Sequence, residues 1–386
     1  MSRGEDLESQ AEESCSVQSD EAMKVGAVHK SVLDELELTT PRREIPTLSQ
    51  NDVEPGYLLG NGSFSEVFSV VVQSGSWMNH GIEDNTEGSA SEHLEQSARS
   101  CRSTNSFTAS GPKYAIKMIR KDLLNDKVML TLAVRDAYYE VEILSHLPPH
   151  PNIVGLAGVG VGFWEDPTQG FIVLERVSET LKHRLARWLR CAKSKKNCFS
   201  CFQFRKKNRD LLHQQRNRIE CAGVGIARAL KFLHKHKIVY RDLKPANVGF
   251  GYDGMVKLFD FGLARSHVPL HNQPRRLTGN AGTARYMAPE VSNCEDYSFP
   301  ADIHSYAILL WEICTLEKPY GNFSSLDQLK SNAVRSHRRP ALRNKIASPR
   351  VQKLLKACWD PDPRARPTFS LVLRTVEAAA GVEESL

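Results

Sequence analysis

The apolar pattern of this chain changes character once, near residue 178, and that change limits the folds open to it. Ahead of it, 56-GYLLGNGSFSEVFSVVV-72 holds two extended runs about a Gly-Asn-Gly-Ser turn, and 113-KYAIKMI-119, 152-NIVGLAGVGV-161 and 170-GFIVLERV-177 read as three further strands. One helix is predicted between them over 128–147, ended by PPHP at 148–151. Beyond residue 178 the spacing becomes helical, with Leu181, Leu185, Trp188 and Leu189 on one face of 179–190, and Ile219, Val224, Ala227, Leu230 and Leu233 on one face of 216–236. Two short strands, 246–250 and 255–259, flank a Tyr-Asp-Gly turn, and helices are predicted at 301–316, 325–335, 349–359 and 369–380. The outcome is an α+β chain of two lobes, a small β-rich N-lobe with one helix and a larger, mainly helical C-lobe.

Composition sorts the flanks and insertions. At 41% apolar and 25% charged the 386 residues are those of a globular protein, and no run of about 18 apolar residues exists to span a membrane. The start, MSRGEDLESQAEESC, is acidic, unlike a signal peptide, and its second residue is Ser2, not the glycine of N-myristoylation. Residues 1–53 read as a disordered acidic tail, about 74–111 as a flexible Ser/Gly/Asn-rich insertion in a hairpin, and 378–386 as a C-terminal tail. Nine cysteines without a framework suggest reduced thiols, hence a cytoplasmic or nuclear protein. Zinc is not expected: Cys191, Cys198, Cys201 and His213 include one pair with zinc-like spacing.

Charge is concentrated. Lys182–Arg209 carries eleven Lys/Arg and no Asp or Glu, so the overall +6 leaves −5 for the rest. Any affinity for a polyanion would therefore be confined to that stretch, which runs into a basic insertion at about 190–215. Its stretch 190–209 suits an anionic lipid, nucleic acid, an importin or a calmodulin-like partner, or else is a solvated loop.

Chemistry is concentrated too. The stretch 239-VYRDLKPANV-248 crowds Arg241, Asp242, Lys244 and Asn247 into seven positions. A second aspartate, Asp260, ends a strand in 258-LFDFG-262. An aspartate with an asparagine can hold Mg²⁺, which takes oxygen ligands and keeps phosphates and waters in its shell. The other aspartate can then orient a hydroxyl, while Lys244 neutralises a transferring phosphoryl group. In 60-GNGSFSEV-67 a Gly-rich turn brings backbone N–H groups close to phosphate oxygens. Lys117 ends an apolar strand; pointing inward it would need a carboxylate, for which Glu140 is the candidate. Each feature alone has a bland reading as a turn or a solvated charge; together they make a phosphoryl-transfer set.

Taken in order, these motifs resemble the eukaryotic protein kinase family over roughly 54–377, with an N-lobe at 54–174 and a C-lobe at 178–377. The Gly-rich loop is 60–67, the lysine of the V-A-I-K element is Lys117, the catalytic loop is YRDLKPAN, DFG is 260–262 and A-P-E is 288–290. The resemblance implies ATP and Mg²⁺ as cofactors. Gly60, Asn61, Gly62 and Ser63 would cover the phosphates, Val67 and Ala115 would hold the adenine, and Leu174, Glu175 and Val177 would line the connection between lobes, with Leu174 as gatekeeper. Lys117 would bind the α/β-phosphates and pair with Glu140, preferred over Glu142 for its place in E-x-x-I-L. Asn247 and Asp260 would bind Mg²⁺, and Asp242 would accept the substrate proton. Glu290 would pair with Arg366, and Asp302 would brace the catalytic loop.

Three positions depart from the family pattern. Tyr240 stands where most members have histidine, a place that packs under the DFG phenylalanine, here Phe261. Ser65 replaces a glycine, and Gly249 stands where a bulky adenine floor is usual. The last two leave a rival reading as a non-catalytic kinase-like binding module, against which Lys117, Asp242, Asn247 and Asp260 are all present. Lys244 and Thr283 match serine/threonine kinases acting on protein substrates, and SYAILLWEI with RARPTF resembles their tyrosine-kinase-like group. Arg241 implies control by activation-loop phosphorylation, by an upstream kinase, with Thr278 as candidate.

Overall fold

A computed structural model of the chain describes residues 27–73 apart from 37 and 39, 113–196, 204–269, 276–329 apart from 322 and 324, and 338–382. The insertion expected at 74–111, the centre of the basic insertion, most of the helix expected at 325–335 and the far ends of both tails lie outside the described residues. These residues form two compact units: one takes the chain through Leu147 together with Gly155–Arg176, the other takes Pro148–Val154 and everything from Val177 onward.

The first unit is built on a six-stranded sheet in the order β1-β5-β6-β4-β3-β2. Its strands are β1 (Thr47–Leu48), β2 (Val53–Asn61), β3 (Ser65–Val72), β4 (Tyr114–Ile119), β5 (Leu156–Gly160) and β6 (Ile172–Glu175). The Gly-rich turn closes β2 onto β3, with Gly62 N–H donating to the Ser65 carbonyl at 2.8 Å. One face of the sheet buries Leu48, Val53, Val70, Ile116 and Val173 in a common core. Helix α2 (Lys127–His146) follows α1, a helix over 27–35. Asp126 caps α2 by accepting the N–H groups of Val128 and Met129 at 3.1 and 3.0 Å, and Pro148 follows one residue past its C-cap.

Two expectations need correction here. Five strands were expected and six are present, because Thr47–Leu48 pairs in parallel with Val159–Gly160. The tail assigned to 1–53 is folded from residue 27 on. Its charge-rich composition conceals a few apolar anchors, Val32 and Leu48 being wholly buried. Glu35 and His29 meet partners on α2, Arg135 and Glu142, so their partial burial does not leave them unpaired.

The second unit is mainly helical. A short sheet, β10-β9-β7, comprises β7 (Glu179–Thr180), β9 (Val248–Phe250) and β10 (Val256–Leu258), and β8 (Ile238–Val239) pairs with β11 (Arg265–Ser266). Helix α3 (Leu181–Lys196) buries Leu181 and Leu185, and α4 (Phe204–Arg218) continues through one π turn at Ile219–Gly223 into α5 (Val224–Lys235). The single helix expected at 216–236 is thus three segments, and both flanks of the basic stretch 190–209 are helical. Then come α6 (Pro289–Ser292), the buried α7 (Pro300–Thr315), α8 (Leu326–Leu329), α9 (Pro349–Cys358) and α10 (Phe369–Ala380). Proline at the first position of α6, α7 and α9 suits a site whose N–H has no helical partner. Among the described residues no helix is long and apolar enough to cross a membrane.

Candidate active site

In the first unit, strand register brings several of the expected site residues onto one face of the sheet. Directly opposed residues of an antiparallel pair lie on the same face, and so do alternate residues of one strand. Val67 opposes Lys117, and Ala115 opposes Leu174. Val67, Ala115, Lys117 and Leu174 therefore line one face, while Ile116 and Val173 point the other way into the core. Lys117 Nζ donates to Glu140 Oε2 at 2.5 Å, and Glu140 is fully buried on α2. Of the two glutamates on that helix, Glu140 is the one Lys117 reaches; Glu142 instead meets His29 at 3.1 Å and Arg42 at 3.8 Å. Glu175 Oε2 accepts from Gly155 N–H at 3.2 Å. Gly60 and Asn61 end β2, and Gly62 and Ser63 open its turn.

In the second unit, a single buried carboxylate organises the loop after β8. Asp302, on α7, accepts the backbone N–H groups of Tyr240 and Arg241, each at 2.8 Å, and meets His234 Nε2 at 2.9 Å. These bonds hold Arg241 at φ +74°, a left-handed conformation that a non-glycine residue adopts only under constraint. The turn presents Asp242 to three donors. Its Oδ2 accepts from Lys244 Nζ at 2.6 Å and Asn247 Nδ2 at 2.9 Å, and its Oδ1 accepts from Thr283 Oγ1 at 2.7 Å. Such a carboxylate is an acceptor with fixed lone pairs, suited to taking a proton from a hydroxyl placed against it.

Asp260, also left-handed at φ +66°, follows β10. The loops carrying Asn247 and Asp260 are joined by Phe259 N–H donating to the Asn247 carbonyl at 3.2 Å. Asn247 spends its side-chain nitrogen on Asp242, leaving the amide oxygen as its ligand atom. Asn247 and Asp260 thus offer oxygen donors only, a set that fits Mg²⁺ completed by phosphate and water.

Residues 100–376 match the family described as the protein kinase domain. The chain belongs to the protein kinase family. Serine/threonine-protein kinase VIK of Arabidopsis thaliana is 30% identical over 272 residues, covering 69% of this kinase and 55% of VIK. Serine/threonine-protein kinase STY17 of the same plant is 36% identical over 151 residues, 39% of this kinase and 25% of STY17. Mitogen-activated protein kinase kinase kinase 12 of Rattus norvegicus is 35% identical over 158 residues, 41% of this kinase and 17% of the rat protein. The chain thus spans about half or less of these relatives' own lengths.

Two of the kinase's departures from its family, Tyr240 and Gly249, acquire physical reasons. Tyr240 is buried with its ring edge-on to Phe261, centroids 5.3 Å apart, and its hydroxyl donates to the Phe259 carbonyl at 2.5 Å. The sequence predicted the aromatic contact but not the hydrogen bond. Gly249 is occupied from outside: a Cβ there would lie 2.8 Å from Cβ and Cγ1 of Val177, so the valine fills the volume a larger residue would take. In the activation segment, Arg241 Nη2 donates to the exposed Thr278 at both Oγ1 (2.8 Å) and the carbonyl (2.7 Å). Gly282 has φ +104°, and a Cβ on it would stand 2.4 Å from the Arg241 carbonyl, so the turn that delivers Thr283 to Asp242 needs glycine. Glu290 and Arg366 pair bidentately at 2.6 and 2.9 Å, both buried. Asn152, unremarked in the sequence, holds β10 by donating to the Val256 carbonyl at 2.8 Å. The N-terminal contacts on α2 were missed as well, although Val28, Val32 and Leu36 recur at helical spacing.

Proposed function

We propose that this kinase transfers the γ-phosphoryl group of ATP to serine and threonine hydroxyls of proteins. The observation that carries this reading is the Asp242 carboxylate, held by Lys244, Asn247 and Thr283 together. Asp242 takes the proton as the substrate oxygen forms its bond to phosphorus and ADP departs. General-base help of this kind is worth ~10²–10⁴-fold in rate. Lys244, 2.6 Å from the same carboxylate, balances charge on the moving phosphoryl group. Lys117, kept in place by Glu140, holds the α- and β-phosphates, and Gly60–Ser63 supplies backbone donors above them. Asn247 and Asp260 would hold Mg²⁺, which neutralises phosphate charge. By the family resemblance Val67, Ala115, Leu174, Glu175 and Val177 would line the nucleotide's base and ribose. The pairing of Lys244 with Thr283 on one aspartate supports a serine/threonine substrate, as do the relatives' names.

Control follows from Thr278. Its hydroxyl already touches Arg241, so a phosphate added there by an upstream kinase gains a charge-assisted bond to the guanidinium and stiffens the segment that carries Thr283. The exposed Cys191 and Cys294 are free thiols, which suits the reducing cytoplasm or nucleus. The basic stretch 190–209 is the place for an anionic partner.

The test is radiolabelled transfer from Mg-ATP onto the chain itself and onto a generic basic protein, beside an Asp260→Asn control. Label on phosphoserine and phosphothreonine that vanishes in the control is expected. Absence of both label and Mg-dependent ATP binding would sink the reading.

A further inference from the structure

The segment from α1 to β1 grips α2 at many points, and all of them lie away from Glu140. Glu35 accepts from Arg135 Nη2 at 2.6 and 2.8 Å and from the Tyr139 hydroxyl. His29 meets Glu142 at 3.1 Å and stacks on both Tyr138 and Trp164, with centroids 4.4 and 5.2 Å away. Arg42 lies over the same tryptophan at 4.0 Å. The gripped positions 135, 138, 139 and 142 have the i, i+3, i+4, i+7 spacing of one helix face. At ~100° per residue Glu140 projects roughly 150° from the centre of that face.

The same segment closes the end of α2. A helix leaves its last four carbonyls without helical partners. Here Ile143 O accepts from Leu147 N–H at 3.1 Å, and the segment takes the other three. Arg43 Nη2 donates to Leu144 O at 2.7 Å, Arg43 N–H to Ser145 O at 2.9 Å, and Thr40 Oγ1 to His146 O at 2.6 Å. Side-face contacts set the rotation of α2 about its axis, and the end contacts set its position along that axis. β1 then anchors the segment to the sheet beside β5.

We propose that residues 27–48 are a built-in clamp whose task is to position Glu140 against Lys117, with Glu35, Thr40 and Arg43 as its positioning residues. The kinetic part of this inference rests on the phosphotransfer reading above; the geometric part does not. A helix free to rotate or slide carries Glu140 off Lys117 by an ångström or more while the sheet stays folded. The contacts that prevent this come from residues about a hundred positions earlier in the chain.

The experiment uses the full chain in four forms: wild type, Glu35→Arg, Thr40→Val with Arg43→Met, and the exchanged pair Glu35→Arg with Arg135→Glu. Two quantities are read. The first is the rate at which acetic anhydride labels Lys117 without nucleotide, followed by mass spectrometry. An ammonium held by a carboxylate stays protonated and reacts slowly, so losing the pair speeds labelling. The second is kcat and KM for a generic basic protein substrate. In Glu35→Arg and in Thr40→Val/Arg43→Met, faster labelling and an about tenfold or larger fall in kcat at unchanged KM are expected, with the exchanged pair recovering toward wild type. Lys117 labelling unchanged in both variants overturns the clamp, whatever happens to the melting temperature. If labelling responds while no form transfers phosphate, the clamp stands and the phosphotransfer reading falls.

Discussion

The Tyr240 hydroxyl donates to the carbonyl oxygen of Phe259 at 2.5 Å, one residue before Asp260. Tyr240 also follows β8 directly and takes its place from Asp302. A single side chain therefore links the loop that carries Asp242 to the loop that carries Asp260. Tyr240→Phe keeps the ring against Phe261 and removes only this link. The expected cost is about 1 kcal/mol in denaturant unfolding, with a reduced kcat. Tyr240→Ala loses the ring as well and should cost about 3–5 kcal/mol. Equal losses in the two variants would show that the hydroxyl, not the ring, is what matters.

Gly249 and Val177 share one volume. Gly249→Ala pushes a methyl to 2.8 Å from a stiff, branched side chain, and its backbone is fixed by pairing with Thr180 and Lys257. Overpacking of this kind costs about 1–3 kcal/mol. Val177→Ala in the same chain should recover most of that loss, giving a clear coupling energy in a double-mutant cycle. Additive effects would mean that the two residues do not share this volume.

Burial pushes the Glu312 carboxyl up to about 7, against the opposing pull of its hydrogen bond from Tyr286 at 2.7 Å and of Arg285. Folding thus favours the protonated acid. The stability it contributes is fully present below the ordinary carboxylate range near 4.5 and is lost as pH rises through about 7. Wild type should lose stability between pH 5 and 8 relative to Glu312→Gln, by on the order of 1 kcal/mol or more. His150 acts in the opposite sense. Its ring, held down to about 4 chiefly by burial, accepts the Asn152 N–H at 3.1 Å, so its contribution is present above pH 6.5 and lost as pH falls toward 4. Urea melts across this range, on wild type and Glu312→Gln, separate the two.

Arg366 and Glu290 are a buried pair whose members need each other. Arg366→Met leaves a carboxylate buried with its main partner gone, which should cost about 3–5 kcal/mol. Replacing both, as Glu290→Gln with Arg366→Met, should cost less than the single change. Thermal melts of the three proteins decide it; a double variant no better than Arg366→Met refutes the pairing as the source of the loss.

Much of the site was legible in residue order because its chemistry is local. Asp242, Lys244 and Asn247 lie within six residues, and a loop that short brings them together whatever surrounds it. The strand alternation that places Ala115 and Lys117 on one face is likewise a two-residue regularity. Thr283, by contrast, reaches Asp242 across 41 residues, and only the motif order hinted at it.

What local pattern and motif order determined was the class of fold, the two units and the identity of the reactive loops, since these depend on periodicity and on near neighbours. What the tertiary structure decided was which distant groups satisfy one another. The acidic, polar N-terminus has the composition of a disordered tail, and nothing in its own residues says that Glu35 will meet Arg135 or that Arg43 will cap α2. Nor does Gly249 announce that Val177 fills its place. Such contacts depend on where the backbone returns in space, and a buried charge or an empty volume is tolerated only when that return supplies its partner.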